Sequence, residues 1–168
     1  MPTNLLKKYN DLLDLTALSE PQRKKSLQGV FDRDIVQNSN FKFNKKQITP
    51  TPKDGVITME TLFRHLTTVV EDNNTKARIF DLDRSKRLHW VKYHIDGKKK
   101  ENILIFSVKE PQGFRTYIYS EDEKYVIVLE PLRNKIEYYL LTAYYVKGKD
   151  VKRNKFKKKY KRRLDNLL

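Results

Sequence analysis

The chain has 168 residues, 38 % hydrophobic and 34 % charged, with a formal charge of +15 and no cysteine. That mix suits one domain with a packed interior and a heavily solvated surface, and excludes a disordered chain. The missing thiols exclude disulfides, thiolate metal sites and cysteine nucleophiles. No stretch approaches the roughly 20 apolar residues of a membrane span, and no long apolar run follows Met1 to mark a signal peptide. The expected setting is therefore intracellular and cytoplasmic. A positive excess that is clustered rather than even favours polyanions: nucleic acid first, an anionic membrane surface second. Lysine added only for solubility is the plain alternative.

In chain order, residues 4–15 predict an amphipathic helix, with Leu5, Leu6, Tyr9, Leu12 and Leu13 at helical spacing. Ser19 can cap a second helix with Pro21 in its first turn, and Gly29 would stop it. Residues 30–46 read as extended, through Val30, Phe31, Ile35, Val36, Phe41 and Phe43. Thr49 to Gly55 holds two prolines and an Asp54-Gly55 turn, and marks the boundary between an N-terminal helical and extended lobe, 1–55, and a main domain, 56–168.

Thr58 predicts the cap of a helix over 59–70, with Leu62, Phe63, Leu66, Val69 and Val70 on its buried stripe. After a polar loop from Glu71 to Lys76, Arg78 to Leu82 read as a short strand or an extended lead-in. Asp83 is then expected to cap a helix over about 84–95 that Gly97 ends. Beyond Gly97 the period becomes strand-like at 102–108, 115–120, 125–129 and 136–146, with short connections that favour an antiparallel meander. The class is α+β: N-terminal helices, then a roughly four-stranded antiparallel sheet, then a basic C-terminal helix or tail, 147–168. In that tail Val151, Phe156, Tyr160 and Leu164 offer anchors among the cations.

No Walker loop, dinucleotide turn, His-Glu-x-x-His or serine-hydrolase motif occurs, and the spacing of His65, His89 and His94 suggests no metal site. No cofactor is expected. What remains is a basic and aromatic set. Arg84, Arg87, His89, Trp90 and Lys92 fall on the predicted 84–95 helix. Arg115, Tyr117, Tyr119, Arg133, Tyr138, Thr142 and Tyr144 fall on strands or their turns. Arginine binds phosphate bidentately, and tyrosine or tryptophan can stack on bases. Lys152, Arg153, Lys157, Lys158, Lys159, Arg162 and Arg163 add a cationic run. Each also has a plain reading: Trp90 and the tyrosines as packing, His65 as a structural histidine, the tail as a solvated face.

Arg84-x-x-Arg87-x-x-Trp90, then Tyr125-Val126-Ile127-Val128-Leu129, then Leu140-Leu141-Thr142-Ala143-Tyr144 resemble, in order and spacing, the phage-associated group of the barnase–EndoU–colicin–RelE nuclease superfamily. The resemblance covers roughly residues 58–160; 1–55 has no counterpart in it. It implies an α+β endoribonuclease of phage or toxin type, one that can be delivered into a target cell. Such enzymes need no metal: the ribose 2′-hydroxyl attacks its own phosphodiester and leaves a 2′,3′-cyclic phosphate. It also implies that Arg84 or Arg87, with Arg115, holds the phosphate, and that Thr142 and Tyr144 position it or relay a proton. The acid/base is left open between His65 and His89. The implied partners are RNA and an acidic inhibitor protein. A non-catalytic nucleic-acid-binding module, or a basic module for an acidic protein, stays open beside it.

Overall fold

The computed structural model describes residues 3–9, 11–53, 56–134 and 136–168. Its centre is a meander of four antiparallel strands: β7 (Ile103–Glu110), β8 (Gly113–Ser120), β9 (Tyr125–Pro131) and β10 (Glu137–Tyr145). Glu110 pairs with Gly113 across a two-residue turn, and Gly113 sits at φ +127°, where a side chain would be strained. The sheet does not stop at four strands. A hairpin of β1 (Lys42–Phe43) and β2 (Lys46–Pro50) joins it, so the order is β1-β2-β10-β9-β8-β7, with β2 parallel to β10. Asn44 and Lys45, both at positive φ, make its turn.

Along β9 the side chains alternate between two cores. Tyr125, Ile127 and Leu129 face one, and Val126 and Val128 the other, which is why the run is continuously apolar. The larger core is covered by α1 (Glu20–Phe31), α2 (Met59–Thr67) and α4 (Trp90–Ile95), through Leu27, Phe31, Leu62, Leu66 and Val91. Leu13, Leu15 and Ile48 belong to that same core, so residues before and after 55 pack into one interior. The Asp54-Gly55 turn lies outside the described residues. The smaller core is roofed by α5 (Lys149–Lys152) and α6 (Lys155–Lys161), with Phe156 2 % exposed against Tyr117 and Tyr119. The class is mixed α+β, and no helix among the described residues is long and apolar enough to cross a membrane.

Several expected elements differ. The described residues of 4–15 form no helix beyond a 3-10 turn at Thr3–Leu6. The Asn4 side chain instead donates to the Asp14 carbonyl and accepts from the Asp14 amide, closing the segment into a loop. That loop buries Leu13 and Leu15 together, which one helix face could not do at a spacing of two. Ser19 and Gln22 build the capping box of α1, but the helix runs through Gly29, where a side-chain carbon would meet Leu5 at 3.8 Å. It then continues as a π-turn at Asp32–Val36, so 30–36 are helical, not extended. Thr58 caps α2, which stops at Thr67 because Thr68, Val69 and Val70 pair as β5 with β6 (Arg78–Phe80). The 84–95 helix is split into α3 (Leu82–Ser85) and α4, and Asp83 does not cap it. Its carboxylate binds Lys147 at 2.6 Å instead. A further ribbon, β3 (Pro52–Lys53) with β4 (Val56–Ile57), precedes α2.

Candidate functional site

β2 covers the edge of β10 only from Glu137 to Leu140. Beyond Pro50 that edge would present open backbone groups, and α2 and α3 fill the gap. A bulge between Leu140 and Thr142 turns the strand there. His65 on α2 meets the edge: its Nδ1 lies 3.3 Å from the Leu141 carbonyl. A carbonyl only accepts, so Nδ1 carries the proton and Nε2 presents its lone pair. Arg84 crosses beside it. Its Nη1 donates to the His65 carbonyl at 2.6 Å and to Thr142 Oγ1 at 3.2 Å, and its guanidinium lies 5.2 Å from the centre of the Tyr144 ring. Four of the residues singled out in the sequence therefore converge: His65, Arg84, Thr142 and Tyr144.

The electrostatics of this cluster are consistent. Burial, with Arg78, Arg84 and Arg64 nearby, lowers the His65 pKa, against the opposing pull of the Leu141 carbonyl. The ring is thus neutral at pH 7 and can accept a proton. Burial, aided by Asp150, pushes Tyr144 up to about 12, so its hydroxyl stays protonated and is available as a donor. Arg84 is only 12 % exposed, and its Nε is buried with no hydrogen-bond partner among the described residues. Asp81 is its nearest carboxylate, at 3.9 Å. The arginine is held by neutral acceptors and keeps most of its charge for a ligand.

Other expected residues lie apart. Arg87 donates to the Asp83 carbonyl at 2.7 Å and stacks at 4.1 Å from the Tyr145 ring centre, away from Tyr144 along the strand's alternation. Arg115 sits near the far end of the sheet, 3.5 Å from Glu130, and Arg133 is exposed in the turn after β9 at that end. His89 is 6 % exposed beneath the N-terminal segment, its Nε2 at 2.8 Å from the Asp11 carbonyl. Its contacts are with the N-terminal segment, and none joins it to His65, Arg84 or Thr142 among the described residues. Trp90, 7 % exposed, packs against Tyr125 at 5.3 Å and is core, not a stacking platform. Tyr117 is likewise roofed by Phe156 and donates to Glu110 at 2.9 Å.

The C-terminal cations divide. Lys159 binds Glu110, Lys157 binds Glu121 at 3.1 Å, and Arg163 lies over Tyr160 at 4.1 Å. Lys152, Arg153, Lys158 and Arg162 are exposed, with no carboxylate in salt-bridge reach among the described residues. The sequence reading missed Arg64 and Arg78, which both act on His65. Arg64 was legible only as the neighbour of His65, and Arg78 only as the first residue of the motif stretch 78–91.

No family model matches the chain, and neither a curated protein nor a solved structure matches it.

Proposed function

We propose that this protein is a metal-independent endoribonuclease whose reacting groups are His65, Arg84, Thr142 and Tyr144. One observation carries the reading: a neutral histidine, a little-exposed arginine, a threonine and a protonated tyrosine meet at one strand edge. The motif resemblance over 78–91 and 125–144 points the same way. In the proposed reaction His65 Nε2 takes the proton of the ribose 2′-hydroxyl. The 2′-oxygen bonds to phosphorus while the bond to the 5′-oxygen breaks, leaving a 2′,3′-cyclic phosphate and a 5′-hydroxyl end. Arg84 meets the charge gathered on the phosphorane, and Thr142 fixes the guanidinium. Tyr144 donates to the leaving oxygen and regains its proton from His65.

Incubation with RNA in EDTA should give fragments ending in cyclic phosphate, with His65→Ala slowing cleavage by about 10²–10⁴-fold. Absence of cleavage of any RNA, or equal cleavage by His65→Ala, overturns the reading.

The second reading is an RNA-binding module without cleavage, favoured by the exposed Lys152, Arg153, Lys158 and Arg162, which have no carboxylate in reach among the described residues. Tight, salt-sensitive binding without product selects it. An acidic inhibitor protein would dock on the same cations.

A further inference from the structure

Seven arginines precede the β9 strand, and they fall into two sets. Arg33, Arg84, Arg87 and Arg115 each have a carboxylate within 4.0 Å. Arg23, Arg64 and Arg78 have none among the described residues, and all three line one cleft of about 730 Å³ between α1, α2 and the β5–β6 hairpin. Lys24 joins them there. Arg23 and Arg78 are oriented without help from an acid. Arg23 lies 4.1 Å above the Phe80 ring, its Nε buried without a hydrogen-bond partner among the described residues. Arg78 donates to the Thr68 hydroxyl and carbonyl, both at 2.8 Å. Arg64 is exposed at the rim.

Gathering like charges around a partly enclosed space is unfavourable until an anion enters. Burial lowers the Arg78 pKa, and repulsion from Arg64 lowers it further. The floor is apolar, made by Leu27, Phe63 and Phe80. Inorganic phosphate would neutralise the cations and leave this floor wet. The volume is that of a site for a small organic molecule. A guanidinium held over a phenyl ring can offer its other side to a planar base. Glu20 and Glu60 also line the cleft and can accept from a ribose hydroxyl or an exocyclic amine.

We propose that this cleft binds a nucleotide unit, its phosphate held by Arg23, Arg64 and Arg78 and its base laid along Arg23 and Phe80. Such a unit is either a free nucleotide or one residue of an RNA chain. The site is independent of the cleavage reading, because it lies on the α2 face of Phe63, Arg64 and Thr67, and a mononucleotide has no internucleotide bond to break.

Calorimetric titration with adenosine 5′-monophosphate, inorganic phosphate and adenosine tests it on the intact protein. The nucleotide should bind at least tenfold more tightly than phosphate or adenosine. Arg64→Ala, at an exposed position, should weaken it tenfold or more, and Arg23→Lys should weaken it while keeping the charge. Lys109→Ala, exposed on β7, should leave it unchanged. A 5′-phosphorylated tetraribonucleotide that binds more tightly than the mononucleotide assigns the site to RNA; equal or weaker binding assigns it to free nucleotides. The proposal is overturned if the nucleotide binds no better than phosphate, or if the Arg23→Lys and Arg64→Ala variants, folded by their thermal transitions, bind it as the parent does.

Discussion

The positive charge of this molecule sits in two unlike places. Along α5–α6 it is mostly lysine, held out in water on a helix pair whose only buried residue is Phe156. Around α2 it is arginine, fixed by carbonyls, hydroxyls and rings in space that the protein half encloses. The first arrangement attracts any polyanion and is screened by salt. The second is directional: a planar fork held in place accepts a phosphate in few orientations. Net charge does not separate the two, since it counts a solvated lysine and a sequestered arginine alike.

The largest expected effect breaks the second region. Arg84→Ala removes the donor to the His65 carbonyl and Thr142 and should lower RNA cleavage by about 10²–10³-fold, as loss of one transition-state donor does. Arg84→Lys, a point charge without the fork, should recover little of it. Product formation in single-turnover assays decides, with equal rates for all three proteins refuting the role.

Next in size is the anchor of the first region. Phe156→Ala should cost about 3–5 kcal/mol in urea unfolding, since it empties the contact between α6 and the sheet. A loss below about 1 kcal/mol would show that the helix is held by its ion pairs to Glu110 and Glu121 instead.

A smaller effect separates the two regions by salt. Changing Lys152, Arg153, Lys158 and Arg162 together to alanine should flatten the plot of log affinity for single-stranded RNA against log salt by about 3, at roughly 0.7 per phosphate. It should leave mononucleotide binding in the cleft unaltered. An unchanged slope would remove α5–α6 from the RNA surface.

The smallest lies in the core. His94 Nδ1 donates to the Trp90 carbonyl at 2.7 Å, so its Nε2 accepts from a protonated Glu123 at 3.0 Å. Burial lowers His94 to about 4 and raises Glu123 to about 7, so the folded pair is neutral. Between about pH 4.5 and 6.5 the unfolded pair is His⁺ with Glu⁻ and binds the same single proton, so stability is level there. Glu123→Gln leaves His94 alone: its depressed pKa makes stability rise by about 1–2 kcal/mol as pH climbs from 4 to 6.5. His94→Gln leaves Glu123 alone: its raised pKa makes stability fall as pH climbs from 4.5 to 7. Thermal midpoints against pH test the pair, and two flat variants would refute it.

The meander was legible because each strand carries its own alternation and each turn its own breaker. α2 was legible through Thr58 and the stripe Leu62, Phe63, Leu66. What could not be read was pairing at a distance. Lys46–Pro50 looks like a loop, ending in proline, until Glu137–Leu140 lies beside it. The same holds for the site. His65, Arg84, Thr142 and Tyr144 were visible as residue types, yet only the gap left beyond Pro50 brings His65 to Leu141. For Tyr117 the choice between base stacking and packing stays open in the sequence, because nothing local shows that Phe156 will cover it. Arg23 and Arg78 were invisible as a pair for a related reason: a cleft is a property of three separate elements.

The parallel pairing of β2 with β10 has a consequence for synthesis. Gln47 finds its partner in Glu137, which leaves the ribosome roughly 5 to 20 s later at ordinary elongation rates. For that interval β2 is a strand with a bare edge, the kind of segment that recruits other chains. Lys42, Lys45 and Lys46 around the hairpin, and Pro50 and Pro52 at its end, discourage such recruitment. The cationic and proline-bearing character of this stretch therefore guards a nascent chain, while in the finished fold it is one inner strand of a sheet.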